Sequence, residues 1–215
     1  MIILNFKSYR ESAGEKGLAL VRICQKISQE TGLRIIPCVQ TADLGFISRQ
    51  VEIPIWAQHF DLKETKKNTG WVTAHSLVQA GASGVLLNHS EHPLESSRLA
   101  EFVQTARDSK LETLIFASDL EEAGEFDKFR PDYLFLETPR LIAKEAMVHF
   151  DQEKEKIRKF AQSVYSFPLV GAGISKAEDV RESLALGVKG VGLSSAFVLA
   201  EEPEKVLRDL ATGFK

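Results

Sequence analysis

The sequence predicts an α/β fold: a single (β/α)8 barrel, compact and with some shortened helices. Three observations lead there. Eight short apolar runs recur along the 215 residues: IILNF, LRIIPCV, IPIWAQ, SGVLLN, LETLIFA, DYLFLE, PLVGAG and KGVGL. Their apolarity is continuous rather than alternating, as expected of parallel strands covered on both faces. The stretches between them carry helical spacing, and AGASGVLL at 80–87 is echoed by LGVKGVGL at 186–193, half a chain further on. Eight βα units with such an echo fit a closed barrel better than an open doubly wound sheet. The chain is short against the ~250 residues typical of that barrel, so some helices must be trimmed.

The elements follow in order. IILNF is the first strand, and residues 14–31 form a helix with Leu18, Val21, Ile23 and Ile27 on one stripe. LRIIPCV and IPIWAQ are strands two and three, followed by a long loop. SGVLLN is strand four, and residues 95–108 place Leu99, Phe102, Val103 and Ala106 on one helical face. LETLIFA is strand five, and DLEEAGEFDKF at 119–129 is the weakest of the helices. DYLFLE, PLVGAG and KGVGL are strands six to eight, with helical stretches at 153–164 and 177–186. No Pro/Gly/Ser linker interrupts the series, so residues 1–215 read as one domain.

Bulk composition narrows the function. The chain is 44% hydrophobic with a net charge of −3, and neither sign gathers into a long block. Nothing there recommends nucleic acid or an anionic membrane as partner, and the expectation is a small ligand, with no nucleic acid and no membrane. Two cysteines, Cys24 and Cys38, lack CxxC or metal spacing and read as reduced thiols, a disulfide being the alternative. The chain opens on strand-like MIILNF without a signal-type region, and no apolar run approaches ~18 residues. The expectation is a soluble, cytoplasmic protein.

In a barrel of this kind catalytic groups sit at the C-terminal ends of strands. There the sequence places Asn5 and Lys7 (strand one), Gln58 and His59 (three), Asn88, His89 and Glu91 (four), Glu137 (six), GAGIS (seven) and LSSAF (eight). Each has a plainer reading: a solvated lysine, a hydrogen-bonded histidine, ordinary small-residue turns. Together they aim one Lys, one His and one Glu at a single mouth, opposite two loops where backbone N–H groups can approach an anion. This set suits proton abstraction beside a carbonyl. Glu137 would be the base, His89 would polarise the oxygen, Lys7 would hold charge near the enediolate, and a phosphate would anchor on the last two loops.

NFK (5–7), AQHFD (57–61), LLNHSEH (86–92), LETPRLI (136–142) and GAGISKAEDV (171–180), in this order and on these strands, resemble the triosephosphate isomerase family. VGAGIS and EEPEKVLRDL (201–210) are most similar to its short archaeal-type branch, and the resemblance covers essentially the whole chain. It implies the (β/α)8 TIM barrel and an intramolecular aldose–ketose isomerase. Such an enzyme interconverts dihydroxyacetone phosphate and glyceraldehyde 3-phosphate in glycolysis and gluconeogenesis, without cofactor or metal. The roles are the family's own, which is the standard case of a Glu base beside a neutral His, and they carry over residue by residue. Asn5 and Lys7 fall on the first-loop pair, His89 on the electrophile, Glu91 on its supporting Glu and Glu137 on the base. The substrate contacts fall on Asn5, Lys7, Ile142, Gly171, Gly173, Ser194 and Ser195. Thr69-Gly70 resemble a loop tip that enters a neighbouring subunit's site, implying a homodimer or homotetramer.

One stretch departs from the pattern. The family follows its base with Pro and then a loop ending Ile-Gly-Thr-Gly; here Thr138-Pro139 follow Glu137, and Ala143-Lys144-Glu145 follow Ile142. The alternative expectation is therefore a diverged phosphosugar binder or weak isomerase with impaired lid closure. A third reading, a metal-dependent barrel hydrolase using His59, His89 and His92, lacks a His-x-His after strand one. His75 and His149 read as surface or helix residues, and Trp56 and Trp71 as core or interface aromatics. GAGIS lacks the third glycine of a dinucleotide turn.

Overall fold

A strand with two buried faces must be covered on both, and a closed barrel inside a ring of helices does so. The computed structural model describes residues 1–63, 66–137, 150–171 and 173–215. Strands β1 (Ile2–Asn5), β2 (Ile35–Val39), β3 (Trp56–Ala57), β4 (Gly84–Leu87), β5 (Glu112–Ala117), β6 (Tyr133–Glu137), β7 (Phe167–Gly171) and β8 (Gly190–Leu193) pair in chain order. All pairs are parallel, and β8 closes on β1. Each apolar run became a strand. Among the described residues the helices are α1 (Gly14–Thr31), α2 (Thr41–Ile47), α3 (Ala74–Gln79), α4 (Leu99–Asp108), α5 (Leu120–Phe126), α6 (Phe150–Ser163), α7 (Ala177–Ala185), α8 (Ser195–Val198) and α9 (Pro203–Thr212). Trimming is real: α2, α3 and α5 have six or seven residues.

The two-residue period of a strand sorts side chains into two cores. Ile3, Ile36, Trp56, Leu86, Phe116 and Phe135 belong to the cluster that fills the barrel. Their neighbours Ile2, Leu4, Val85, Leu87, Leu134 and Leu136 belong to the larger cluster between strands and helices. On α1 the buried stripe is Leu18, Leu20, Val21, Cys24 and Ile27, while Ile23 is only half-buried, one position off the centre of the stripe. The stripe expected on α4 is buried at all four positions.

The internal echo has a backbone cause. Gly81 and Gly187 both adopt the left-handed conformation (φ 93° and 101°) at the turn between a helix and the next strand. Glycine takes that conformation without steric cost.

At the N-terminal end of the barrel Arg34 donates to the Tyr133 hydroxyl and to the Glu112 carboxylate. The Tyr133 hydroxyl donates to Glu112 Oε1 at 3.1 Å. Burial, reinforced by Glu112, pushes the Tyr133 phenol up to about 12. Cys24 and Cys38 are buried free thiols, each pushed up by burial, so the disulfide alternative does not hold. Among the described residues no helix is long and apolar enough to cross a membrane.

Glycines make room for two of the barrel-filling rings. A Cβ on Gly84 would lie 2.4 Å from the Trp56 indole; one on Gly171 or Gly192 would lie 2.3 Å from the Phe135 ring. Gly192→Ala is expected to lower the unfolding free energy by about 3 kcal/mol through overpacking. Adding Phe135→Leu should recover part of that loss, as a double-mutant cycle by urea unfolding would show.

Candidate active site

Three strands deliver the ionisable groups to the C-terminal mouth, and the inward row leads to each. On β6, Tyr133 and Phe135 point into the barrel, so the two-residue period turns Glu137 inward at the strand's end, opposite Gly171 of β7. On β4 the inward Leu86 is followed two residues later by Asn88, and His89 comes next. On β1 the inward Ile3 leads to Asn5 and then Lys7.

His89 lies at the centre, with its side chain 10% exposed. Its Nδ1 accepts the backbone N–H of Glu91 at 3.1 Å. A nitrogen that accepts carries no proton in the neutral ring, so the proton sits on Nε2. That Nε2 lies 3.8 Å from Glu137 Oε1. Burial holds the His89 pKa below its ordinary value of 6.5; Glu137 opposes the shift, Lys7 adds to it, and Glu91 opposes it. The imidazole is therefore a neutral donor near neutral pH, turned toward the same space as the Glu137 carboxylate.

Lys7 Nζ donates to Glu91 Oε1 at 2.6 Å. With Glu91 61% exposed, the pair orients the ammonium more than it stabilises the fold. The Lys7 backbone is strained, with φ 47°. Two side chains hold it there: Asn5 Oδ1 accepts the Lys7 N–H at 3.0 Å, and Gln58 donates to the Lys7 carbonyl at 3.0 Å. Gln58 also donates to the Cys38 carbonyl at 3.1 Å, tying β2 to the same turn.

Glu137 has a partner that sequence reasoning passed over. The Ser90 hydroxyl donates to Glu137 Oε2 at 3.1 Å, so the carboxylate is held by serine while it faces histidine. The only sequence signal was the position of Ser90 between His89 and Glu91.

The structure thus brings Lys7, His89, Glu91 and Glu137 together. Asn5 sits beside them as the support of the Lys7 turn. Gly171 has a packing reason for lacking a side chain, the Phe135 ring, and Gly173 is left-handed at φ 80°. Ser194 and Ser195 open α8, and the Ser194 hydroxyl is buried without a hydrogen-bond partner among the described residues. Ile142, together with the departure at 138–145 and His149, lies outside the described residues.

Thr69 and Gly70 are exposed in the loop after β3, with Gly70 at φ 85°. The loop is clamped at its base, where Asp61 and Val72 exchange backbone and carboxylate bonds at 2.6 and 2.8 Å. Beyond the clamp Trp71 is 52% exposed beneath the Lys63 ammonium, 4.4 Å from its ring centre. Trp56 is core. His59 and His92 stack at 4.0 Å, and His59 lies 3.3 Å from Asp61. They do not converge with His89, and no three such groups among the described residues could hold a metal ion.

A closed barrel with an ionisable cluster at this mouth defines the class: a (β/α)8 barrel of the kind that carries its chemistry at the C-terminal ends of its strands. The family model for triosephosphate isomerase matches residues 1–130, which ends before β6. Full-length relatives carry the likeness further. Triosephosphate isomerase of Methanothermus fervidus is 34% identical over 217 residues, covering 99% of this chain and 97% of its own. That of Methanocaldococcus jannaschii is 33% identical, covering 98% of each chain, and that of Sulfurisphaera tokodaii is 33% identical, covering 97% and 93%. A crystal structure of triosephosphate isomerase from Bartonella henselae superposes with a TM-score of 0.72 at 19% identity, covering 99% and 96%, and shows the fold. The chain belongs to the triosephosphate isomerase family, and its relatives here include the archaeal branch.

His89 and His59 both have pKa values held below 6.5, by burial first and, for His59, by His92 next. The unfolded chain therefore binds protons that the folded one resists. The stability linked to these rings is fully present above about pH 6.5 and is lost as pH falls through the folded values. Unfolding free energy should drop between about pH 7 and 5, and His89→Gln should flatten part of that slope in urea titrations at each pH.

Proposed function

We propose that the protein interconverts dihydroxyacetone phosphate and glyceraldehyde 3-phosphate, a reaction of glycolysis and gluconeogenesis, in the cytoplasm and as a single barrel domain. The observation that carries this reading is the convergence of Lys7, His89, Glu91 and Glu137 at one mouth, in a chain about one-third identical along its whole length to archaeal triosephosphate isomerases.

Glu137 takes the proton from the carbon beside the substrate carbonyl. The electron pair left behind forms the second carbon–carbon bond of an enediolate, while the carbonyl oxygen gains charge. His89, with its proton on Nε2, donates a hydrogen bond to that oxygen. Lys7, steered by Glu91, supplies positive charge beside it. The hydroxyl proton on the carbon first deprotonated shifts to the former carbonyl oxygen, and the proton on Glu137 returns to the former carbonyl carbon, leaving the new carbonyl on its neighbour. Ser90 keeps the carboxylate in place in the free protein and releases it when a substrate C–H is presented. Neutral histidine suits the role, because an imidazolium would pair with Glu137 and lower its basicity.

The phosphate is assigned to Gly171, Gly173, Ser194 and Ser195, with Ile142 on the side of the loop after β6. An unpartnered buried hydroxyl at Ser194 fits an anion acceptor that arrives with the substrate. Glu137→Gln should lower kcat by about a thousandfold with little change in KM. Wild type turning over either triose phosphate no faster than Glu137→Gln would end the proposal. The alternative, a weak isomerase or phosphosugar binder, would instead show phosphate-ligand binding with turnover far below that of the archaeal relatives.

The protein is further read as a homodimer or homotetramer in which the loop carrying Thr69, Gly70 and Trp71 inserts into a neighbouring copy. An exposed tryptophan on a loop clamped at its base is a natural anchor for a partner surface. Trp71→Asp should shift the sedimentation coefficient toward the monomer and raise KM or lower kcat, since the loop would be withdrawn from the neighbouring copy's site.

A further inference from the structure

The hydrogen bond from the Glu91 N–H fixes which nitrogen of His89 carries the proton, but a single bond leaves the ring free to tilt about it. Something else must hold the plane. The Phe116 ring meets the imidazole with centroids 4.8 Å apart and planes at 80°. Phe116 ends the inward row of β5 and is itself 5% exposed. Behind it lies Phe135, centroids again 4.8 Å apart, and Phe135 is wedged against the bare backbone of Gly171 and Gly192. Phe116 also grips the chain just before His89: its carbonyl accepts the Asn88 side-chain N–H at 3.0 Å. Asn88 is left-handed at φ 59°, and its Oδ1 accepts the Leu94 N–H at 2.9 Å.

We propose that Phe116 is a positioning residue for His89, holding the imidazole plane through a T-shaped ring contact and excluding water from the inner side of the ring. The contact is backed by Phe135, so the wall behind His89 rests on the two strands that lead to the phosphate loops. It does not touch substrate. Its effect passes through His89: a ring that cannot tilt keeps Nε2–H aimed at the mouth, and a dry inner face disfavours the imidazolium. The charged groups that face the ring are Glu137 from β6, Lys7 from the β1 loop and Glu91 from its own loop, while β5 contributes only the uncharged Phe116 ring. Burial, the largest cause of the His89 shift, is the part Phe116 controls.

The proposal rests on His89 being the electrophile, and its test separates the two claims. Full-length protein labelled with 15N-histidine is titrated by NMR as wild type, Phe116→Ala, Phe116→Leu and Leu114→Ala, alongside triose phosphate kinetics. Leu114 is the inward residue two positions earlier on β5 and serves as a cavity control. In Phe116→Ala the His89 midpoint should rise by roughly half a unit or more as water reaches the ring. The acid limb of kcat/KM should move with it, and kcat should fall about tenfold with KM within about twofold. Phe116→Leu keeps the site apolar and largely filled without the flat ring; its kcat should fall about fivefold with little change in midpoint. A His89 midpoint and kcat unmoved in folded Phe116 variants, or moved equally by Leu114→Ala, would overturn the positioning role. A midpoint that depends on Phe116 in a wild type without isomerase activity would uphold the positioning and sink the isomerase reading instead.

Discussion

The Phe135 ring seated against Gly171 and Gly192 is the contact on which the rest of the molecule depends. A barrel of eight short strands has little interior volume, and a large ring fits only where its neighbours present no side chain. Once Phe135 faces inward, the two-residue period leaves Glu137 no choice but to face inward too, at the mouth. A slip of one residue would turn the carboxylate toward the helices and bring Leu134 and Leu136 into the barrel. Core packing thus selects which acid stands at the mouth. The same ring supports Phe116, and through it His89.

Around that packed interior the mouth is held under tension by polar bonds. Lys7 and Asn88 adopt left-handed backbones without being glycine, a conformation that costs on the order of 1–3 kcal/mol each. Each is offset by hydrogen bonds, some local and some from other strands: Asn5 and Gln58 on Lys7, the Phe116 carbonyl and Leu94 on Asn88. Tightly held ends of β1 and β4 bring an ammonium and a neutral imidazole to one mouth. Burial does the electrostatic work at His89, with Lys7 assisting and Glu137 resisting. A site arranged this way is set before any ligand arrives, so binding energy goes into orientation rather than assembly.

Much of this was legible in the chain. All eight strands read directly from runs of Val, Ile, Leu and Phe, and α1 spans the residues its periodicity marks. The echo of AGASGVLL in LGVKGVGL proved to be a shared left-handed glycine between a helix and a strand. Lys7, His89, Glu91 and Glu137 could be named because barrel topology sends strand ends to one place. Ser90 could not, since its partner Glu137 stands 47 residues away and nothing local marks a serine as a holder of carboxylates. Gln58 reaches a carbonyl 51 residues back. Gly171 was read as a bare backbone for phosphate; the structure adds a neighbour, Phe135, that requires the same glycine for packing.

By itself the sequence determined the strands, the longer helices, the parallel order and the polar residues that end each strand, because hydrophobic period and turn chemistry are local properties. Tertiary structure alone decided which strand residues fill the barrel, which hydroxyl holds Glu137 and which ring backs the imidazole. Those outcomes depend on register between strands and on distances across a closed interior, and neither is encoded in any single stretch of chain.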